Sequence, residues 1–185
     1  MKKSKFKAVA YRLIDQKSEA GIALYLMLED LVHEHHDELR DAKIALAWNT
    51  AWKPDVDGRV TLGKCKKASD LDRELAAYDF VIILRQEFMT NPRVTDHQRR
   101  ALIDHELCHA TVAYDDNGEP KLDARMRKVY RIRKHDIEEF ADIVERYGCY
   151  KRDLELFAAA LRRGQAQPAL DLQDEAEPVE ASTTH

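Results

Sequence analysis

The chain has 185 residues, 35% of them charged, and a formal net charge of −4. This length suits one compact domain with a tail. The small negative charge argues against the class of proteins that bind nucleic acid through a strongly basic surface. No window of about 18 apolar residues occurs, so the sequence predicts neither a transmembrane helix nor a membrane partner.

The first half of the chain is predicted to mix helices and strands. Residues 1–18 form a basic lead-in. Apolar residues at helical spacing predict a helix over Ala20–His36. Strands are predicted at Lys43–Trp48 and Val60–Cys65, and the turn residues between them favour a hairpin with a loop. A short helix follows over Ser69–Ala77, with its first residue as the N-cap.

The second half begins with the strongest strand pattern in the chain. The continuous apolar run Asp79–Arg85 predicts a strand that is buried on both faces. Thr95, with Gln98 three residues later, predicts the capping box of a new helix. A further helix is predicted over Asp136–Tyr147, and the glycine that follows, Gly148, would end it.

The predicted fold class is α+β, with a small mixed or antiparallel sheet packed on helices. One more helix is expected over Leu154–Leu161. The ordered domain is expected to cover residues 19–162, while residues 163–185, rich in Gln, Ala, Pro, Asp and Glu, predict a disordered acidic tail.

The helix that Thr95 begins carries an HExxH motif, HELCH, from His105 to His109. Residues four apart lie on one helix face, so both imidazoles can reach one zinc ion, and both are expected to point inward. Glu106 lies beside the first of them, where its carboxylate can take a proton from a water that zinc activates. The motif therefore predicts a zinc-dependent metallopeptidase that attacks peptide bonds.

A catalytic zinc ion needs a third protein ligand. Downstream candidates are His135, which is separated from His109 by 25 intervening residues, and the acidic pair Glu138 and Glu139. A histidine would give an all-imidazole site, whereas a glutamate would give a site with two histidines and one carboxylate.

HELCHA, together with a later histidine, an acidic residue and an aromatic residue, resembles the motifs of SprT-type zincins. Over residues 20–150 the chain also resembles the putative phage metallopeptidase family, through EHHDELRDAKIALAW, the strand before HELCHA, and KHDIEEFADIVERYG. These resemblances imply a zincin-like minimal metalloprotease fold. They imply His105, His109 and His135 as zinc ligands and Glu106 as the general base.

The resemblances also imply partners and a location. Substrates would be proteins or peptides, with proteins associated with DNA as one class. The three cysteines lack a CxxC pair, which favours reduced thiols, and the N-terminus lacks the pattern of a signal peptide. We therefore expect the cytoplasm, that of the host if the gene is a phage gene. A monomer is the default expectation, since no sequence pattern specifies the oligomeric state.

Two other functions stay open. A non-catalytic zinc-containing accessory protein that binds a host factor would keep the fold and the metal, although it would not need Glu106. A purely structural zinc domain would need a fourth protein ligand, such as Cys149 or Glu138.

Neighbouring side chains are predicted to have ordinary roles. The histidines His33, His35 and His36 are expected to form a solvated helix end, because residues one or two apart on a helix do not converge. Cys108 and Cys149 are expected to be small packing residues.

Overall fold

The computed structural model describes residues 10–137 and 141–164. They belong to two units, one up to Lys134 and one from His135, and each is described by itself. Residues 1–9, 138–140 and 165–185 lie outside the described residues, and with them Glu138, Glu139 and all but the first two residues of the predicted tail, 163–185. None of the described helices is long and apolar enough to cross a membrane.

The described elements confirm the α+β class. The first unit contains β1 (Tyr11–Leu13), α1 (Glu19–His35), β2 (Ile44–Asn49), β3 (Gly63–Lys67), α2 (Asp70–Ala76), β4 (Phe80–Arg85), α3 (Gln86–Met89), α4 (Asp96–His109), β5 (Ala110–Val112) and β6 (Tyr130–Ile132). The second unit contains α5 (Ala141–Tyr147) and α6 (Arg152–Gly164).

A four-stranded sheet in the order β1-β2-β4-β3 forms the centre of the first unit. Strands β2 and β4 are parallel, and the other two pairs are antiparallel, so the sheet is mixed. The predicted hairpin of the second and third strands is wrong, since β4 lies between them. The two apolar strands take the central positions because both of their faces are buried there, whereas the Lys-rich β3 suits an edge.

Strand β1 was missed because YRL is too short to show a pattern and lies in the basic N-terminal segment. Strand β3 begins at Gly63, three residues later than predicted. The predicted helix start at Asp136 is also wrong, because that residue lies in a bend. The helices predicted from Ala20 and from Leu154 are confirmed as α1 and α6.

Helices α1 and α4 contribute buried leucine and isoleucine side chains to the same core as the central strands. Leu28 and Leu31 of α1 pack with Ile103 and Leu107 of α4, in one cluster with Phe80 of β4. Full burial of each such side chain stabilises the fold by about 1.5–3 kcal/mol. The motif helix is therefore fixed by its apolar face to the sheet.

Both ends of α4 are defined by specific bonds. At its start the Thr95 hydroxyl accepts from the Gln98 N–H, and the Gln98 side chain accepts from the Thr95 N–H, so the predicted capping box is confirmed. At its end the chain passes directly into β5, which pairs antiparallel with β6. His109 is consequently the last residue of the helix.

The central strand β2 should be the most sensitive part of the core. We expect Leu46→Ala, at a fully buried position, to lower the free energy of unfolding by about 2–5 kcal/mol because it leaves a cavity. The matched control is Leu71→Ala on α2, whose side chain is 66% exposed, with an expected change within about 0.5 kcal/mol. Urea unfolding measures both, and equal losses would contradict this account of the core.

Candidate metal centre

The two motif histidines lie side by side on the solvent-facing part of α4. Their ring nitrogens offer ligand atoms within 4.8 Å of each other, and the rings meet edge to face with centroids 5.2 Å apart. His105 is exposed and His109 is half-buried, so the expectation that both point inward is wrong. The inward face of the helix is occupied by Ile103, Glu106 and Leu107. A metal ion held on this side of the helix would be reachable from solvent, and catalytic zinc sites keep one coordination position open to water or substrate.

The orientation of His109 is fixed by the backbone beyond β6. Its Nδ1 lies 2.7 Å from the carbonyl oxygen of Arg133, and the Arg133 N–H donates to the His109 carbonyl at 2.7 Å. Because a carbonyl can only accept, Nδ1 carries the proton and Nε2 keeps its lone pair. A ligand imidazole is typically oriented by such a bond from its other nitrogen.

Glu106 is directed from α4 towards the edge strand β3. The carboxylate accepts a hydrogen bond from the backbone N–H of Cys65. Only 3% of the residue is exposed, and its Oε2 has no hydrogen-bond partner among the described residues. Burial raises the pKa of the Glu106 carboxyl, while the nearby His109 and the Cys65 N–H counteract that rise.

The close approach of Glu106 to β3 depends on a glycine. A Cβ built at Gly63 would overlap the Glu106 carboxylate, so a larger side chain there would displace it. Sequence reasoning missed Gly63, although a glycine inside a strand is a signal for a close approach. Burial also raises the pKa of the neighbouring Cys65 thiol to about 12, so this thiol stays protonated at neutral pH.

The first unit brings together His105, Glu106 and His109, three of the sequence-predicted site residues. His135 is exposed and is the first residue of the second unit. Cys149, named as a fourth ligand of a structural zinc site, is exposed in the second unit.

Three predictions for the surrounding side chains are wrong. Cys108 and Cys149 are exposed and do not pack in a core. Cys108 faces outward because Ile103 and Leu107 already take the inner face of α4. His36 is buried instead of solvated, and its Nε2 lies 2.7 Å from the Asp104 carboxylate.

The residues present fit a divalent transition metal. Two imidazoles on one helix face, one with its lone pair set by Arg133, are ligands that suit zinc and related ions. The buried carboxylate of Glu106 lies beside them and has an oxygen without a described partner. Magnesium and calcium are bound mainly by oxygen ligands, so a pair of imidazoles does not suit these ions.

Glu106 should reduce the stability of the metal-free protein. A carboxyl whose pKa is raised by folding contributes stability below its unfolded value, and this contribution is lost as pH rises through the folded value. In EDTA we therefore expect Glu106→Gln to be about 1–3 kcal/mol more stable than the wild type at pH 8. At pH 4 the two should be nearly equal in urea unfolding. A constant difference across this range would contradict the role of the buried charge.

Comparison with known protein families gives one match over most of the chain. The model of the putative phage metallopeptidase family matches residues 17–162, which include the HELCH segment. Comparison with curated proteins and comparison with solved structures each gave no match. The family description supports a metal-dependent peptidase role with protein or peptide substrates. The chain belongs to the putative phage metallopeptidase family.

Proposed function

We propose that this protein is a zinc-dependent endopeptidase. His105, His109 and His135 hold the zinc ion, and Glu106 is the general base. The observation that carries the proposal is the Glu106 carboxylate, buried with one oxygen lacking a described partner, beside two imidazoles on one helix.

The choice of His135 as third ligand is supported by the path of the chain in the first unit. The β5–β6 hairpin returns the backbone to the end of α4, where Arg133 is bonded to His109 at both its N–H and its carbonyl. His135 lies two residues further on, so its Cα is within about 7 Å of that of Arg133. Glu138 is five residues from Arg133, so the length of the chain restricts its distance from Arg133 far less closely.

The buried carboxylate also weighs against a non-catalytic binding protein. A charged group without a full set of hydrogen bonds costs stability when it is buried. A binding module with only a structural metal gains nothing from Glu106. An enzyme does gain, because stability is commonly given up at catalytic positions.

Each group in the site has a distinct part in peptide hydrolysis. A bound zinc ion would polarise the carbonyl as a Lewis acid and would lower the pKa of water at the site to about 7. Glu106 accepts a proton from the attacking water while the water oxygen forms its bond to the carbonyl carbon of the substrate. The raised pKa of Glu106 favours uptake of this proton, and the protonated carboxyl then gives it to the departing amine nitrogen as the C–N bond breaks.

The edge of β3 offers a place for an extended peptide. Hydrogen bonds from Arg85 to Leu62 and from Ala68 to Asp79 bracket the β3–β4 ladder. By the alternation of antiparallel pairs, the backbone groups of Gly63, Cys65 and Lys67 point away from β4. Glu106 already binds one of them, so a substrate strand paired along this edge would pass the general base. Proteins associated with DNA, a monomeric state and a cytoplasmic location stay predictions.

Metal content tests the ligand set. We expect about one zinc per chain in the Cys108→Ser variant purified without chelator, a background that removes the thiol inside the motif. His135→Ala should lose the metal because two imidazoles alone bind weakly, and Glu138→Ala should keep it. Elemental analysis measures all three proteins. Loss of zinc in Glu138→Ala but not in His135→Ala would make Glu138 the third ligand in place of His135. Absence of zinc in the Cys108→Ser protein, even after zinc is supplied, would overturn the proposal.

Activity tests the role of Glu106. In Glu106→Gln we expect kcat for a denatured protein substrate to fall by about 10²- to 10⁴-fold, with zinc content unchanged. The amide cannot accept the proton, although it keeps the size of the side chain. Full activity in this variant would exclude Glu106 as the base.

A second variant of the same experiment tests the contact with β3. Gly63→Ala should displace the Glu106 carboxylate and lower kcat by about 10²-fold, again without loss of zinc. Gly164→Ala is the matched control, because nothing lies near the added methyl group and no positive φ is involved. Equal activity of the two alanine variants would contradict the positioning role of Gly63.

A further inference from the structure

A second group of metal-ligating side chains lies in the first unit, outside the HExxH pair. His36, Asp104 and Cys108 each offer one ligand atom, and these atoms lie within 4.8 Å of one another. The His36 Nε2 and the Asp104 Oδ1 are 2.7 Å apart. None of the three belongs to the proposed catalytic set.

Two helices supply this group. His36 is the C-cap of α1. Asp104 and Cys108 are four residues apart on α4, so they share one face of that helix. Asp104 and Cys108 each precede a motif histidine by one residue. The face that they share is therefore rotated by about 100° from the face of His105 and His109. The second group therefore stands on a different side of the same helix.

The surroundings allow an ion to enter and to be retained. His36 is buried, Asp104 is half-buried and Cys108 is exposed, so the group is open from one side. A cavity of about 300 Å³ lies there, and its wall also includes Glu38 and Arg133. These two residues carry opposite charges, so they add no net charge to the wall of the cavity.

We propose that His36, Asp104 and Cys108 form a second site for a divalent transition metal of the zinc class. A thiolate, an imidazole and a carboxylate together favour zinc, cobalt or cadmium over magnesium or calcium, which prefer oxygen ligands. The thiol loses its proton to solvent when the metal binds. The thiolate and the carboxylate then balance the two positive charges of the ion.

The thiol distinguishes this group from an ordinary ion pair between helices. The contact of His36 with Asp104 ties the end of α1 to α4, and the Cys108 thiol brings a third ligand atom within 4.8 Å of both. With the thiol as a third ligand, the ion would join the two helices and leave one coordination position for water. Binding would stabilise the fold by linkage, since only the folded chain presents the three atoms together.

Cobalt substitution of the full-length protein tests the site. A cobalt–thiolate bond gives an intense near-ultraviolet charge-transfer absorption, which a site made of histidines cannot give. We expect the wild type to show this absorption and to bind one more equivalent of cobalt than Cys108→Ser. The exposed position of Cys108 makes this variant unlike a core substitution, and circular dichroism checks that it folds. Cys149→Ser, also at an exposed cysteine, is the matched control and should keep both the absorption and the metal.

Either of two results would overturn the proposal. One is the absence of the absorption in wild-type protein loaded with cobalt. The other is an absorption that persists in Cys108→Ser, which would assign it to Cys65 or Cys149. These results differ from those expected if the HExxH residues do not bind metal. That site has no sulfur ligand, so its absence would lower the metal content without removing the cobalt–thiolate absorption.

Discussion

The reciprocal hydrogen bonds between His109 and Arg133 are the constraint on which the site depends. One joins the backbone carbonyl of the last residue of α4 to the Arg133 N–H, and the other joins Nδ1 to the Arg133 carbonyl. The last carbonyls of a helix lack partners within the helix, so the first bond also stabilises the helix end. Because the same residue makes both bonds, the end of α4 and the direction of its histidine are set together.

The position of Glu106 is the costly part of this arrangement. The helix must present two imidazoles to solvent, and the residue between them then turns towards the sheet, where little water can reach it. Gly63 provides the space and the Cys65 N–H provides one hydrogen bond, but Oε2 keeps no described partner. A charge held in this way is poorly solvated, and it therefore acts more strongly on a proton than it would in water. The cost in stability and the proposed catalytic benefit have the same physical origin.

Much of this fold could be predicted because its elements carry local signals. The capping box at Thr95 and Gln98 and the apolar run of β4 act over a few residues, and both predictions are confirmed. The pairing of strands could not be predicted in the same way. The turn after Pro54 is a genuine local signal, but β2 pairs with β4 because burial of two apolar strands outweighs a short connection.

The features of the candidate site likewise fall into those that a local sequence pattern predicts and those that it does not. The i, i+4 spacing predicted that His105 and His109 would be neighbours, since it is a property of one helix. The contact with Gly63 and the bond to Arg133 join residues far apart in the chain, so no local pattern specified them. His36 was assigned to solvent for the same reason, because its partner Asp104 is on another helix.

Helix α4 thus uses its faces for different tasks. Its apolar residues fix it to the sheet, its histidine pair faces solvent, and Asp104 with Cys108 faces the end of α1. A helix with ligands on two sides has little freedom to rotate, because any rotation that improves one set moves the other. An ion held with His36 would therefore restrain rotation of the helix that presents His105 and His109. Two proposed metal sites would then be coupled through the rigidity of one helix, without a shared ligand.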